Sequence, residues 1–464
     1  MPADMPTGEQ VVPSGPALLL SGARLLDGRT VDVRITGDRI EAVGAAGSLS
    51  AAERLDLTGY LLLPAPVEPH AHLDEAFSGT PAPGSTVPAV ASGTAPTVVG
   101  TGMGAGSGSG VGTGIGTGVG AGAGAGAVVW GADREARVED LQRRITEAAL
   151  TGLGYGATVQ RTHVRIGGAQ GLVGMTAALQ AARALHGLME LQVVPLPGLL
   201  TGLAGAEGRS MLREALGMGA HAVGGCPDRD ADPDAHLDAV VALAEDCGLS
   251  VDLHTDAADP RRLARLTAVL GALRSRAVIG PCSALGLLAP EVAARCMAQL
   301  AAARVSVVTL PQCARCVGSC PVGLRGLDGR AGLPAPARLL RAAGVSVAAG
   351  SGALRDTANP VGRVDPLEAA FLLTASGELD ENAAYETVSG AARHALGLAP
   401  MRVAAGFPAD VLAVRGESLR GVLSGGHSRV VVHGGRVVSR TSAVREFAEI
   451  STPAVPRQGR SGAT

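Results

Sequence analysis

Ser250-Val251-Asp252-Leu253-His254 is a short β-type run in which apolar Val251 and Leu253 alternate with polar residues; the Pro-led amphipathic segment Pro260–Arg274 follows it, and then an apolar run, Arg276–Gly280. Runs of this length are strand-sized. Proline suits the first turn of a helix because its missing N–H has no partner to lose there. The unit recurs. Tyr60–Val67, Ala157–Ile166, Glu190–Leu196, Ala220–Gly225, Val305–Leu310 and Val345–Ala349 complete the apolar runs. Between them lie Asp133–Leu150, Gly174–His186, Gly208–Met218, Pro233–Asp246, Pro290–Ala303 and Pro334–Ala343. Eight buried runs separated by helices in one series predict an α/β fold of the TIM-type (β/α)8 barrel kind.

Outside this series, Ala17–Ile40 and Asp410–Val438 alternate as antiparallel strands do, with Asp27-Gly28 and Gly434-Gly435 at turn positions. They are expected to join into a small β-sandwich built from both chain ends, over residues 17–64 and 400–441, beside a barrel at 65–399. Tyr60–Val67 straddles that boundary. Residues 1–16 and 442–464 are polar and proline-containing and read as disordered tails. Between Gly100 and Gly126 nearly every second residue is glycine, so residues 98–128 read as a flexible insert with little side chain to bury. A phosphate-cradling loop there fails for want of a lysine and of a GxGxxG between strand and helix.

The chain has 464 residues, 39 basic and 42 acidic, and all 39 basic residues are arginine. The near-cancelled charge offers no basic stripe for nucleic acid or an anionic membrane. The lack of lysine excludes a Walker-type phosphate loop, a pyridoxal-phosphate Schiff base and a metal bridge of carbamylated lysine. No nucleotide cofactor is expected. No apolar run approaches membrane-spanning length, no secretion signal is read at the N-terminus, and seven cysteines read as reduced thiols of a cytoplasmic protein. The expected partner is a small-molecule ligand or substrate, and a homo-oligomer is left open.

Val67-Glu68-Pro69-His70-Ala71-His72-Leu73-Asp74, Arg161-Thr162-His163-Val164, Val251-Asp252-Leu253-His254 and Gly406-Phe407-Pro408-Ala409-Asp410-Val411 together resemble the amidohydrolase superfamily, most closely its cytosine-deaminase-like branch. The resemblance runs from about Ala17 to Val438, the glycine insert excepted. It implies a barrel with a sandwich from both chain ends and metal-dependent hydrolysis of non-peptide C–N bonds.

The residues agree with a chelate. His70 and His72 lie two apart at a strand end and point to one face, and His254 ends another strand. Three neutral imidazoles suit one divalent metal, Zn or Fe, with positions left open. The alternative is that they only hydrogen-bond inside the barrel. The resemblance also exposes departures. Gly352 stands where the family has a metal-binding Asp, Ala257 where it has a catalytic Glu, Cys282 where it has a His, and Gly198 where it has a substrate-gripping Gln. Asp256, two beyond His254, is a replacement acid/base if the strand continues, and otherwise a cap. Cys282 is a fourth-ligand candidate that would close the site, or a tolerated small residue. Cys313, Cys316 and Cys320 form a possible cluster for a metal or a redox pair. Arg161, His163 and Arg165 alternate on one face, and the resemblance puts His163 near the mouth as a substrate-binding candidate. Three functions follow: a C–N hydrolase with a rearranged acid/base set, a non-catalytic relative that binds a ligand or partner, and a cysteine-based metal or redox site.

Overall fold

The structure, a computed structural model, describes residues 16–79, 125–313, 334–444 and 446. Most of the expected tails and of the expected glycine insert lie outside these. Residues 125–128, assigned to the insert from sequence, instead begin a helix. Two compact units form, one from the chain through Pro66 with Leu153–Thr158 and the chain from Pro400, the other from Val67–Gly152 and Val159–Ala399.

The first unit opens with β1 (Leu18–Arg24), β2 (Thr30–Thr36), β3 (Arg39–Ala45), β4 (Glu53–Asp56) and β5 (Tyr60–Pro64). The apolar run Tyr60–Val67 therefore divides. Its first part joins this unit, and only Val67 begins the next strand, because Ala65 and Pro66 interrupt the ladder.

The second unit alternates strand and helix: β6 (Val67–Ala71), α1 (Ala125–Gly154), β7 (Val159–Ile166), α2 (Val173–Ala184), β8 (Glu190–Pro197), α3 (Gly205–Gly217), β9 (Ala222–Gly225), α4 (Pro233–Cys247) and β10 (Ser250–Thr255). It continues with α5 (Pro260–Ala272), β11 (Ala277–Pro281), α6 (Pro290–Ala302), β12 (Ser306–Thr309), α7 (Ala337–Ala342) and β13 (Val347–Ala349). Three helices close it, α8 (Pro366–Ala375), α9 (Glu381–Val388) and α10 (Gly390–Leu396). The prolines act as read. Asp232, Asp259 and Asp365 each accept a backbone N–H of the turn that Pro233, Pro260 or Pro366 begins.

All eight strands of this unit pair in parallel, as β6-β7-β8 and as β9-β10-β11-β12-β13. The ladder is not continuous between the two sheets, but both seams are stitched. Gly352 N–H donates to His70 O (2.9 Å) and His72 N–H to Gly352 O (3.1 Å) beside β6. At the other seam His221 N–H donates to Val193 O (2.9 Å). A Cβ on Gly224 would lie 2.1 Å from the carbonyl oxygen of Pro195, so β8 and β9 approach too closely for any side chain there. Gly224→Val is expected to destabilise the protein by about 2–3 kcal/mol through overpacking, read as a lowered midpoint in urea unfolding; an unchanged midpoint would contradict this packing. Val67, Val159, Val278, Val308 and Ala348 from five of the strands share one buried cluster with Ala392, Ala395 and Leu396 of α10.

The chain then returns to the first unit with β14 (Val411–Arg415), α11 (Leu419–Gly425), β15 (Arg429–His433) and β16 (Arg436–Thr441). Hydrogen bonding links its strands into one sheet ordered β16-β15-β14-β5-β1-β2-β3, with β4 added to β1, and Val31, Val33 and Ile35 of β2 share one buried cluster with Val411 and Ala413 of β14 and Val430 and Val432 of β15. The sheet draws on both ends of the chain, since β14 pairs β5. Gly434 and Gly435 both take positive φ (53° and 76°), as the tight β15–β16 hairpin requires.

Candidate metal centre

The strands of the second unit deliver the histidines. On β6, Glu68 and His70 lie two apart, and His72 follows the strand; on β7, Arg161, His163 and Arg165 share a face; on β10, Asp252 and His254 do. This is period-two geometry, and it brings four imidazoles together. Ring centroids lie 4.2 Å apart for His70 and His163, 4.5 Å for His70 and His254, and 4.7 Å for His163 and His254. His254 Nε2 and His72 Nε2 are 3.2 Å apart. Ligand atoms of His70, His72 and His254 all fall within 4.8 Å of one another, as do those of His70, His163 and Asp252.

The electrostatics favour the neutral, metal-binding form of these rings. Burial, and then the neighbouring imidazoles, push His70 and His254 well below the usual imidazole range. The same causes bring His72 to about 3. His72 Nδ1 and His254 Nδ1 are buried without a hydrogen-bond partner, an arrangement that costs free energy unless something ligates them.

A carboxylate network backs the cluster. Asp252 Oδ2 accepts from the Arg161 guanidinium (2.8 Å), which also donates to Gln192 Oε1 (2.7 and 3.1 Å). Arg161 is 2% and Asp252 1% exposed, so this is a fully desolvated pair. Burial alone would raise the Asp252 carboxyl, but His163 and Arg161 beside it hold it far below the usual carboxylate range. Glu68, fully buried, accepts from Ser351 N–H and Oγ–H and from His70 N–H. Burial lifts its carboxyl to about 7.

A cavity of about 50 Å³ opens against the cluster. His70, His72 and His254 line it, together with Arg165, Glu75 and Asp356. Arg165 pairs with Glu75. Burial raises both the Glu75 and the Asp356 carboxyls, partly offset by Arg165.

His70, His72 and His254 thus converge as expected, and His163 lies among them, wholly buried. Asp256 does not join them. β10 ends at Thr255 and Ala257 takes a left-handed φ of 57°, so strand alternation does not carry through Asp256. Its carboxylate accepts from Ser283 Oγ–H and lines a separate cavity of about 190 Å³ with Asp228. Cys282 belongs to neither metal-competent group among the described residues. It too has a left-handed φ (53°), directly after Pro281, and burial raises its thiol. Cys226, not Cys282, is the cysteine that lines the histidine cavity. The side chains of Cys313, Cys316 and Cys320 lie outside those described. Sequence reading assigned no functional role to Glu68, Asp252, Glu75 or Asp356. Parity with His70 and His254 would have found the first two; the others come from loops, where no periodicity points.

No protein-family model matches the chain. It is 29% identical over 344 residues to the pterin deaminase of Rhizobium rhizogenes (strain K84 / ATCC BAA-868), covering 69% of this chain and 75% of that one. It is 25% identical over 244 residues to the N-isopropylammelide isopropyl amidohydrolase of Pseudomonas sp. (strain ADP), covering 51% and 52%. Among solved structures it superposes on N-isopropylammelide isopropylaminohydrolase from Burkholderia multivorans ATCC 17616 with a TM-score of 0.71, at 25% identity over 92% of this chain and 98% of that one. The 5-methylcytosine deaminase of Klebsiella pneumoniae gives 0.70 at 20% identity, covering 93% and 100%, a likeness of fold. Among the described residues, no helix is long and apolar enough to cross a membrane.

Proposed function

We propose that this chain, a member of the amidohydrolase superfamily, is a metal-dependent hydrolase of non-peptide C–N bonds in a small amino-heterocycle or cyclic amide. The observation that carries the reading is the group His70, His72 and His254, neutral, mutually in reach and facing a cavity. The unpartnered buried nitrogens of His72 and His254 fit one divalent ion, Zn in preference, with no carbamylated lysine needed. When bound, such an ion supplies Lewis acidity and activates water. We read the eight parallel strands as one (β/α)8 barrel, with the three histidines at its C-terminal mouth. The two relatives are named for reactions on nitrogen heterocycles, which supports the substrate class. The free thiols of Cys226, Cys247, Cys282 and Cys296 support a cytoplasmic setting.

The rest of the chemistry falls to this chain's own side chains. Hydrolysis of a C–N bond needs a group to take a proton from water and one to give a proton to the leaving nitrogen. Gly352, which lines the cavity, and Ala257, which does not, cannot do either. Glu75 and Asp356 line the cavity beside His72. Burial raises both carboxyls above their ordinary values, which favours a group that holds a proton and gives it up. Arg165, paired to Glu75, orients that carboxyl.

A second reading, a non-catalytic relative that binds a ligand, is favoured by the bare Gly352 at the position where the family resemblance calls for a carboxylate. One experiment separates the two. Purified protein is expected to hold about one Zn per chain, lost in a His70→Ala/His72→Ala variant, and to release ammonia or amine from a panel of pterins, aminotriazines and cytosines. Metal without release would establish the second reading, and no metal would sink the first.

A further inference from the structure

We propose that His70, His163 and Asp252 form a second, deeper metal seat suited to Fe(II), sharing His70 with the first so that the chain holds one ion in either of two places. This does not depend on the C–N hydrolase reading. The three ligand atoms lie within 4.8 Å of one another and all three residues are buried, His163 completely.

His163 Nδ1 there is buried without a partner, and His163 Nε2 and Asp252 Oδ1, 3.2 Å apart, face each other with no other partner. Buried polar atoms are almost always satisfied, so a donor and acceptor set left open in this way calls for something between them. Arg161 occupies Oδ2 of Asp252 and leaves Oδ1 turned to His163, the usual division of labour for a metal-binding carboxylate held by a second partner.

The donor sets differ in kind. His70, His72 and His254 offer three imidazoles, which suit Zn. His70, His163 and Asp252 offer two imidazoles and a carboxylate, the combination that suits non-haem Fe(II). The lack of lysine excluded a carbamate-bridged pair of ions; it did not exclude a second seat supplied with its anion by Asp252.

The test is metal content after anaerobic dialysis against Fe(II) alone. A His72→Ala/His254→Ala variant, stripped of the first seat, is expected to retain about one Fe(II) per chain. Adding His163→Phe is expected to weaken binding by about 100-fold or more, and Asp252→Asn likewise. Circular dichroism checks folding, and His163→Phe decides alone if Asp252→Asn does not fold. The seat is overturned if the double variant holds no iron, or if folded His163→Phe leaves iron binding unchanged. Two ions in the wild-type chain would overturn the sharing of His70. Zn binding with no iron in the double variant sinks this seat and leaves the hydrolase reading intact. Iron retained in the double variant, with no ammonia release from the Zn-loaded wild-type chain, does the reverse.

Discussion

His254→Ala is expected to abolish ammonia release and to weaken Zn binding by about 10³-fold. Changing an outer-shell partner of a metal ligand already costs about 10–100-fold, and this change removes a ligand. The ring is placed for that role by its distances to His72 and His70 and by its unpartnered Nδ1. Two readouts make the result specific. Zn at about 1,000 times its dissociation constant should raise wild-type stability by about 4 kcal/mol, and this increment should vanish in the variant. Metal-free stability should change little, because among the described residues the His254 side chain has no hydrogen-bond partner other than His72. A variant that keeps the Zn-dependent increment would mean that the ion, if bound, sits elsewhere.

The parts of this molecule that obey a period were legible in advance. Strand-sized runs with proline-led helices between them located most elements to within a few residues, because burial on both faces writes a parallel strand as a continuous apolar run. Spacing by two placed His70, His72 and His254 on inward faces for the same reason. The failures begin where the period stops. Asp256 and Cys282 lie just past the ends of β10 and β11, beside residues with left-handed φ, and there alternation loses its meaning. Glu75 and Asp356 stand in loops and reach the cavity only through tertiary structure. The strand order of the first unit was not legible either. Alternation shows that a strand has two faces, but it does not show which strands are neighbours, as β5 and β14 are.

Arg161→Met should be among the most destabilising single substitutions in the chain, costing about 3–5 kcal/mol at pH 7. Removing one partner of a buried ion pair leaves the other charge desolvated, here Asp252 at 1% exposure, and it also strips Gln192 Oε1 of two donors. The pH dependence identifies the cause. In the wild type the Asp252 carboxyl is held below its unfolded value. Its contribution to stability is therefore full above about pH 4 and is lost as the pH falls further. Without the guanidinium, one of the groups that hold the carboxyl down is gone, so the folded carboxyl rises from its wild-type position. The variant then has less stability to lose as the pH falls and Asp252 takes up its proton. The gap between wild type and variant, read from urea midpoints from pH 7 downwards, should narrow on the acid side. A gap independent of pH would mean that Arg161 contributes by packing its stem rather than by pairing Asp252. A double variant with Asp252→Asn should recover part of the loss, because it removes the stranded charge along with its partner.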